Sequence, residues 1–241
     1  EGILSEAKNF EYRPQQQAMA SGVMRSLEAN QNYVVEAGTG VGKSLAYLIP
    51  AILHGQAHVK KAIISTHTIN LQEQLIEKDL PMLQRILSAD FTYTMLKGRA
   101  NYLCTRRLAR AVQRADSLFT SPEIAELKRV EQWAKETQDG SLSDFDVEPE
   151  LKVWEEVCSE RGLCSPKLCG RNSDGASLHG ECFFQQARRR FLSADVLVLN
   201  HSLFFASLGA IAENAEEEED GIGDGLLFKN DFVIFDEAQH L

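Results

Sequence analysis

The sequence lacks the features of a membrane-bound or secreted protein. It contains no signal peptide and no apolar run near the roughly 18 residues that span a bilayer, so we expect a cytoplasmic protein without a membrane partner. It also lacks an excess of positive charge, because its net charge is −10, and overall charge therefore does not indicate nucleic-acid binding. There is no internal repeat. The 241 residues, 44% of them hydrophobic, are enough to bury the core of one or two domains.

A phosphate-binding loop is the most informative feature that is present. Residues 37–44 read Ala-Gly-Thr-Gly-Val-Gly-Lys-Ser, between a strand-like run at 33–36 and a helix-like run at 44–53. Glycines let consecutive N–H groups point at phosphate oxygens, and the start of the helix adds positive potential. We expect Lys43 to reach the β- and γ-phosphates of ATP and the Ser44 hydroxyl to bind Mg²⁺. The expected nucleotide contacts are Gly38, Thr39, Gly40, Val41, Gly42, Lys43 and Ser44.

One feature of this loop leaves room for another interpretation. The strict pattern begins with glycine, and Ala37 stands there instead. A glycine-rich turn in a protein that binds no nucleotide is the alternative, but the adjacent Lys43 and Ser44 favour the phosphate loop.

A second motif follows the apolar run 232–235. This run predicts a buried parallel strand, and an Asp-Glu-Ala-Gln tetrapeptide at 236–239 stands at its carboxyl end, where open α/β sheets bind ligands. We expect Asp236 to hold Mg²⁺ together with Ser44, and Glu237 to orient or deprotonate the attacking water. An acidic pair after a strand is often only a turn, but the upstream phosphate loop favours a catalytic role.

The remaining hydrophobic pattern predicts strands that alternate with helices. The further elements are expected at 14–29 (helix), 61–65 (strand), 69–78 (helix, ending near Pro81), 92–96 (strand) and 195–200 (strand). This alternation predicts an α/β protein with a parallel, doubly wound sheet. The alternation stops between Gly98 and Gln186, so we expect a sheet domain formed by 1–97 and 187–241 and a mainly helical insert at 98–186.

All the cysteines fall within the insert. They are Cys104, Cys158, Cys164, Cys169 and Cys182. Clustered cysteines in a cytosolic chain favour metal binding over disulfides. Cys164 and Cys169 can close a small loop around an inorganic centre, and thiolates favour zinc or an iron–sulfur cluster. The spacing alone leaves a cluster, zinc and unliganded buried thiols open.

The order of these features resembles the superfamily 2 DNA helicases of the DinG/XPD type, and bacterial DinG-like proteins in particular. The resemblance spans nearly the whole chain. Its further segments are Tyr-Arg-Pro-Gln-Gln at 12–16, Ser-Thr-His-Thr at 65–68 (motif Ia), Gly-Arg-Ala-Asn-Tyr-Leu-Cys at 98–104, Cys-Phe-Phe-Gln-Gln-Ala-Arg at 182–188 and Asn-His-Ser-Leu-Phe at 200–204.

The resemblance implies a RecA-like P-loop NTPase fold interrupted by an insert that holds a 4Fe–4S cluster. It implies that the ligands, in chain order, are Cys104, Cys164, Cys169 and Cys182. Cys158 is then spare, although a competing set replaces Cys164 or Cys169 with Cys158. It also implies that Arg13 and Gln16 of the first segment contact the nucleotide.

The implied activity is ATP-dependent unwinding of DNA, 5′→3′ on single-stranded or forked DNA, in repair or replication. The chain does not begin with Met and ends at Leu241, just past the acidic motif, so we expect a fragment. The second motor domain that supplies arginine fingers is expected downstream, and the fragment alone is expected to turn over little ATP. Gln239 stands where these helicases have His.

The stretch 97–115 contains basic residues and no acid, which makes it a candidate DNA contact. The arginines that partly share a helical face are Arg99, Arg106, Arg110 and Arg114. We expect Tyr102 and Phe183 to stack on bases and the arginines at 188–190 to contact the DNA backbone. A solvated basic helix with aromatic residues in the core is the alternative.

Two other functions remain open from the sequence. One is a nucleotide- and redox-responsive protein that binds or senses DNA without unwinding it. The other is a zinc-stabilised ATPase. A brown protein with visible absorbance indicates a cluster, and unwinding of a tailed duplex separates a motor from a sensor.

Overall fold

The computed structural model describes residues 12–38, 40–87, 89–213 and 231–241. The chain divides into two compact units, the first within Glu1–Met95, Ser193–Ala206 and Leu227–Leu241 and the second within Leu96–Leu192 and Ser207–Leu226. The second unit therefore interrupts the first along the chain. The assignment of 98–186 as an iron–sulfur insert stays a prediction.

In the described residues, the first unit contains a parallel sheet of four strands. The strands are β1 (Ala62–Thr66), β2 (Tyr93–Met95), β3 (Val196–Asn200) and β4 (Phe232–Phe235), in the order β2-β3-β1-β4. Ala62 of β1 pairs with Val196 on one side and with Phe232 on the other, and all the pairings are parallel. The predicted α/β fold with a parallel sheet is confirmed.

The centre of this sheet is apolar. All of β1 is buried and so is β3 except at its last residue, as expected for parallel strands that are covered on both faces. The prediction that β4 is buried is wrong, because only β1 pairs with it among the described residues and its side chains are half-buried or exposed.

The described part of the first unit also contains helices, two of them before β1 and two between β1 and β2. They are α1 (Pro14–Ala29), α2 (Lys43–His58), α3 (Ile69–Gln74) and α4 (Leu80–Ile86), with a π-helical turn at Leu75–Asp79 between α3 and α4 and a 3₁₀ turn at Ala238–His240. The core between helices and sheet includes Leu48, Ile52, Ile64 and Val198. The prediction that the helix after β1 ends near Pro81 is wrong. Pro81 stands in the first turn of α4, where a missing N–H costs little, and the helix continues.

The predicted strand at 33–36 is also wrong. An apolar run forms a strand where a neighbour accepts its hydrogen bonds, and none of the described strands pairs with this run. Val34 is 96% exposed. Tyr33 lies against α1, with its hydroxyl 2.5 Å from the place where a Cβ on Gly22 would stand.

The second unit is mainly helical. Its helices are α5 (Thr105–Gln113), α6 (Ala115–Leu118), α7 (Ser121–Trp133), α8 (Leu151–Val157), α9 (Pro166–Cys169), α10 (Asp174–His179) and α11 (Phe183–Ser193), with 3₁₀ turns at Arg99–Asn101 and Leu142–Asp144. A separate core includes Leu127, Val130, Val153 and Trp154. A further helix, α12 (His201–Glu213), begins in the first unit. Within the ranges that the structure describes, none of the helices has the length and apolar character to cross a membrane.

Candidate nucleotide site and cysteine centre

The phosphate loop leads directly into α2. Gly40 and Gly42 have φ angles of 79° and 84°, in the left-handed region that favours glycine. Lys43 and Ser44 are the first residues of α2, where the helix dipole favours anions. Of the other predicted contacts, Gly38 and Val41 belong to the same turn, and Thr39 lies outside the described residues.

Side chains at the start of α1 bind the main chain of this loop. Gln16 Nε2 donates a hydrogen bond to the carbonyl of Gly42 at 3.0 Å, and the Arg13 guanidinium donates to the carbonyl of Gly40. These hydrogen bonds attach the carbonyl groups of the loop to the start of α1. A direct contact of Arg13 and Gln16 with nucleotide stays a prediction.

We expect Gly42→Ala to lower the free energy of unfolding by about 1–2 kcal/mol, because φ is positive there. A Cβ on Gly42 would also stand 2.2 Å from Gln16 Nε2, so the bond from Gln16 would break. The control variant is Gly38→Ala, because a Cβ at Gly38 meets no described atom within 4 Å. Thermal denaturation of Gly42→Ala and Gly38→Ala measures the difference. Equal melting temperatures for the two variants would contradict the prediction.

An ion pair joins the two predicted catalytic motifs. Lys43 Nζ lies 2.8 Å from Glu237 Oε1, and Gln239 Nε2 donates to the other oxygen, Glu237 Oε2, at 2.5 Å. The hydrogen bond with Glu237 raises the pKa of Lys43, and the same bond lowers the pKa of Glu237, so both side chains are charged at neutral pH. The next residue, His240, stacks on His67 with ring centroids 4.1 Å apart.

Asp236 is held by partners that differ from those of Glu237. Its N–H donates to the carbonyl of Ser65 at 2.8 Å, and the Tyr47 hydroxyl donates to Asp236 Oδ2 at 3.1 Å. Burial raises the pKa of Asp236. Burial and the charge of Asp236 raise the pKa of Tyr47 well above its usual value, so Tyr47 remains a donor. Sequence reasoning missed Tyr47, although a buried tyrosine hydroxyl on the helix after the loop needs a partner.

Asp79 adds an oxygen ligand near Ser44 that the sequence did not reveal. It ends the π-helical turn Leu75–Asp79, and its Oδ2 is buried without a hydrogen-bond partner among the described residues. Burial raises the pKa of Asp79, and the nearby Ser44 hydroxyl partly offsets this rise. Hydroxyl and carboxylate oxygens are the ligands that Mg²⁺ prefers, so Ser44, Asp79 and Asp236 fit this ion.

Four cysteines form one buried group in the second unit. The Sγ atoms of Cys104, Cys164, Cys169 and Cys182 all lie within 4.8 Å of one another. Cys104 precedes α5, Cys169 ends α9, and Cys182 precedes α11. The N–H of Cys182 donates to the carbonyl of Cys169 at 3.0 Å, which joins two of these segments.

This group has the chemistry of an inorganic centre. Hydrogen bonds from the other three thiols lower the pKa of Cys164, with the bond from Cys104 the largest effect, so a thiolate is favoured there. Thiolates are the form that binds metal. Tetrahedral zinc with bonds of about 2.3 Å holds its sulfurs about 3.8 Å apart. The observed limit of 4.8 Å exceeds the zinc spacing, and the larger iron–sulfur cluster requires its sulfur ligands to lie further apart still, so the distances alone select neither centre.

Cys158 lies outside this group. It pairs with Leu103 in an isolated antiparallel bridge, and its Sγ lies 3.7 Å from the carbonyl oxygen of Glu155 and 3.9 Å from Arg107 Nη1. Burial raises the pKa of the Cys158 thiol, which disfavours the thiolate.

Arginines of the basic stretch bind carbonyl groups of the chain around the cysteines. Arg99 donates to the carbonyl of Cys164 at 3.3 Å, and Arg106 donates to the carbonyl of Leu163 at 3.1 Å. Arg107, which sequence reasoning did not single out, donates to the carbonyl of Cys158 at 2.6 Å. These arginines therefore brace the loop that carries Cys164.

Other predicted DNA contacts differ in exposure. Arg110 and Arg114 are exposed near the end of α5. Tyr102 is 2% exposed and its hydroxyl accepts a hydrogen bond from the N–H of Lys97, so burial excludes it from stacking on a base. Phe183 is half-buried against Gly140. In the run 188–190, the two later arginines are exposed.

Comparison with known proteins identifies the family. Residues 12–144 match the DEAD/DEAH box helicase family. The chain is 36% identical to the ATP-dependent DNA helicase YoaA of Haemophilus influenzae over 242 residues, which cover 100% of the chain and 35% of that protein. It is 33% identical to the ATP-dependent helicase DinG of Mycobacterium tuberculosis over 243 residues, 94% of the chain and 34% of that protein.

The chain thus spans about a third of the length of the relatives it matches. These similarities confirm the resemblance to DinG-type proteins. Because the family match covers more than half of the residues, the chain belongs to the DEAD/DEAH box helicase family.

Proposed function

We propose that this chain contributes the nucleotide-binding motor domain of an ATP-dependent DNA helicase. The observation that carries the proposal is the pairing of Lys43 with Glu237 beside the half-buried Asp236, at the carboxyl end of a parallel sheet. Membership of the DEAD/DEAH box helicase family and similarity to DinG and YoaA support it.

The catalytic roles follow from the charges at the site. Lys43 exchanges its bond to Glu237 for the β- and γ-phosphates of ATP, because a polyphosphate carries more negative charge than one carboxylate. Glu237 is then free to orient water and to accept its proton. Ser44 and Asp236 would hold Mg²⁺, which would supply positive charge to the phosphates. Asp79 is the further oxygen at that position.

For the cysteine centre we propose a 4Fe–4S cluster held by Cys104, Cys164, Cys169 and Cys182. A donor set of thiolates alone, within one buried group, suits a cluster. The resemblance to DinG/XPD-type helicases favours it over zinc. The cluster braces the segments that carry its ligands, and Arg99 and Arg106 add to this brace through the carbonyls they bind.

We propose single-stranded or forked DNA as the substrate, tracked 5′→3′ in the cytoplasm during repair or replication. The exposed Arg110 and Arg114 are suited to contact phosphates. A second motor domain in the complete protein supplies the arginine fingers that ATP hydrolysis needs.

The test is unwinding by the complete protein, purified without air. We expect ATP-dependent separation of a duplex with a 5′ single-stranded tail, and none with a 3′ tail or with a non-hydrolysable ATP analogue. A nucleotide- and redox-responsive sensor would bind the tailed duplex without separating it, and that result would overturn the proposal. A colourless protein that contains zinc would instead favour a zinc-stabilised ATPase.

A further inference from the structure

A buried histidine lies behind the acidic motif. His201 is the first residue of α12, directly after β3, and is 5% exposed. Its Nδ1 lies 2.7 Å from the hydroxyl oxygen of Ser65, near the end of β1. The other ring nitrogen, Nε2, is buried and has no hydrogen-bond partner in the described part of the chain. A buried imidazole nitrogen is costly to leave unpaired, and the main-chain carbonyl groups of Asp236 and Glu237 are near enough to affect the pKa of this ring.

The acidic turn faces this histidine. The ring centroid of His201 lies 6.1 Å from that of Phe235, the residue before Asp236. Burial lowers the pKa of His201, and the main-chain groups of Glu237 and Asp236 oppose that effect from close by.

The backbone of this turn is strained at the residue with the catalytic carboxylate. Glu237 has φ 56° and ψ 43°, a left-handed conformation that is unfavourable for a residue with a side chain. The conformation aims the Glu237 carboxylate at Lys43. In this turn the N–H of Asp236 donates a hydrogen bond to the carbonyl of Ser65, and the N–H of His240 donates one to the carbonyl of Glu237.

We propose that His201 is a positioning residue for Glu237. Ser65 donates its hydroxyl proton to Nδ1, which fixes the tautomer with the proton on Nε2. The Nε2–H then donates to a main-chain carbonyl of the Asp236–Glu237 turn when nucleotide is bound, and this bond keeps Glu237 in its left-handed conformation after Lys43 has left it for the phosphates. The proposal rests on the ATP hydrolysis proposed above.

Two substitutions of His201 test the contributions of its two ring nitrogens separately. In His201→Gln the side-chain amide can stand where Nε2 stands, and in His201→Asn the amide oxygen can accept from Ser65 while the Nε2 donor is lost. We expect His201→Asn to lower kcat for DNA-stimulated ATP hydrolysis by about 10²-fold, since a misplacement of about 1 Å costs this much. His201→Gln should stay within about threefold of the wild type, because it keeps the donor.

The measurements use the complete protein. The nucleotide Kd is measured with a fluorescent ADP, and His58→Asn, at an exposed position on α2, is the matched control. We expect unchanged nucleotide affinity and melting temperature in all three variants, with kcat reduced in His201→Asn alone. Ser65→Ala, which keeps the carbonyl that binds Asp236, is expected to lower kcat to a smaller extent.

Three outcomes would overturn the inference. A normal kcat in His201→Asn removes the need for the Nε2 donor. Equal losses in His201→Gln and His201→Asn, accompanied by weaker nucleotide binding, assign His201 a purely structural role. If the wild-type protein hydrolyses no ATP in the presence of DNA, the proposed function itself fails, and this inference fails with it.

Discussion

Lys43→Ala is expected to lower the rate of ATP hydrolysis by the complete protein by about 10²–10³-fold. The loss has this size because Lys43 is the proposed charged donor at the phosphates, and removing one preorganised donor to a developing charge costs that much. The structure adds a second effect. Lys43 lowers the pKa of Glu237 through its hydrogen bond, and the variant leaves this carboxylate without its cation. Steady-state ATPase kinetics with saturating DNA measure the result.

The control for Lys43→Ala removes the same charge elsewhere in the first unit. Arg25→Ala serves, because Arg25 is exposed on α1. We expect its ATPase rate to stay within about twofold of the wild type, since isolated surface charges contribute little. If Lys43→Ala hydrolysed ATP and moved along DNA at the wild-type rate, the assignment of the phosphate loop would be wrong.

Cys164→Ser is expected to remove the inorganic centre. The Cys164 thiol belongs to the group in which all the Sγ atoms lie within 4.8 Å, so its replacement removes one of four sulfur ligands. A hydroxyl neither deprotonates at neutral pH nor binds iron as a thiolate does. We expect iron and sulfide to fall to background after anaerobic purification, with loss of the visible absorbance.

Cys158→Ser is the matched control, because it makes the same change in a buried thiol outside the group. We expect full iron and sulfide content in this variant. The reverse pattern, with the cluster retained in Cys164→Ser and lost in Cys158→Ser, would establish the competing ligand set. Zinc in place of iron in the wild type would refute the cluster while leaving the ligand assignment intact.

The predictions from sequence succeeded where a motif carries its own chemistry. The glycine-rich turn before Lys43 and the acidic turn after β4 needed only their local order to be identified, and the resemblance selected the four cysteines that meet in space. Tyr47 and Asp79 were missed, and no role was assigned to His201, because their contacts are with residues far away in the chain. Tyr47 meets Asp236 across 189 positions, and no local spacing encodes that contact.

Two errors in the fold have the same origin. The run 33–36 has the composition of a strand, but a strand also requires a neighbour, and composition does not provide one. At Pro81 the local rule predicted an end, whereas the π-helical turn before α4 places the proline where the helix tolerates it. In both segments the contacts with neighbouring parts of the chain, rather than the local secondary-structure propensity, determined the conformation.

Helix α2 contacts both residues of the acidic pair, Asp236 and Glu237. Its first residue, Lys43, bonds to Glu237, and Tyr47 one turn later bonds to Asp236. A movement of this helix therefore displaces both the proposed water-activating group, Glu237, and the proposed ion-binding group, Asp236. A substitution on the buried face of α2 is therefore expected to affect Asp236 and Glu237 together. Volume changes at the buried Leu48 or Ala51 should alter the metal dependence and the rate of turnover at the same time.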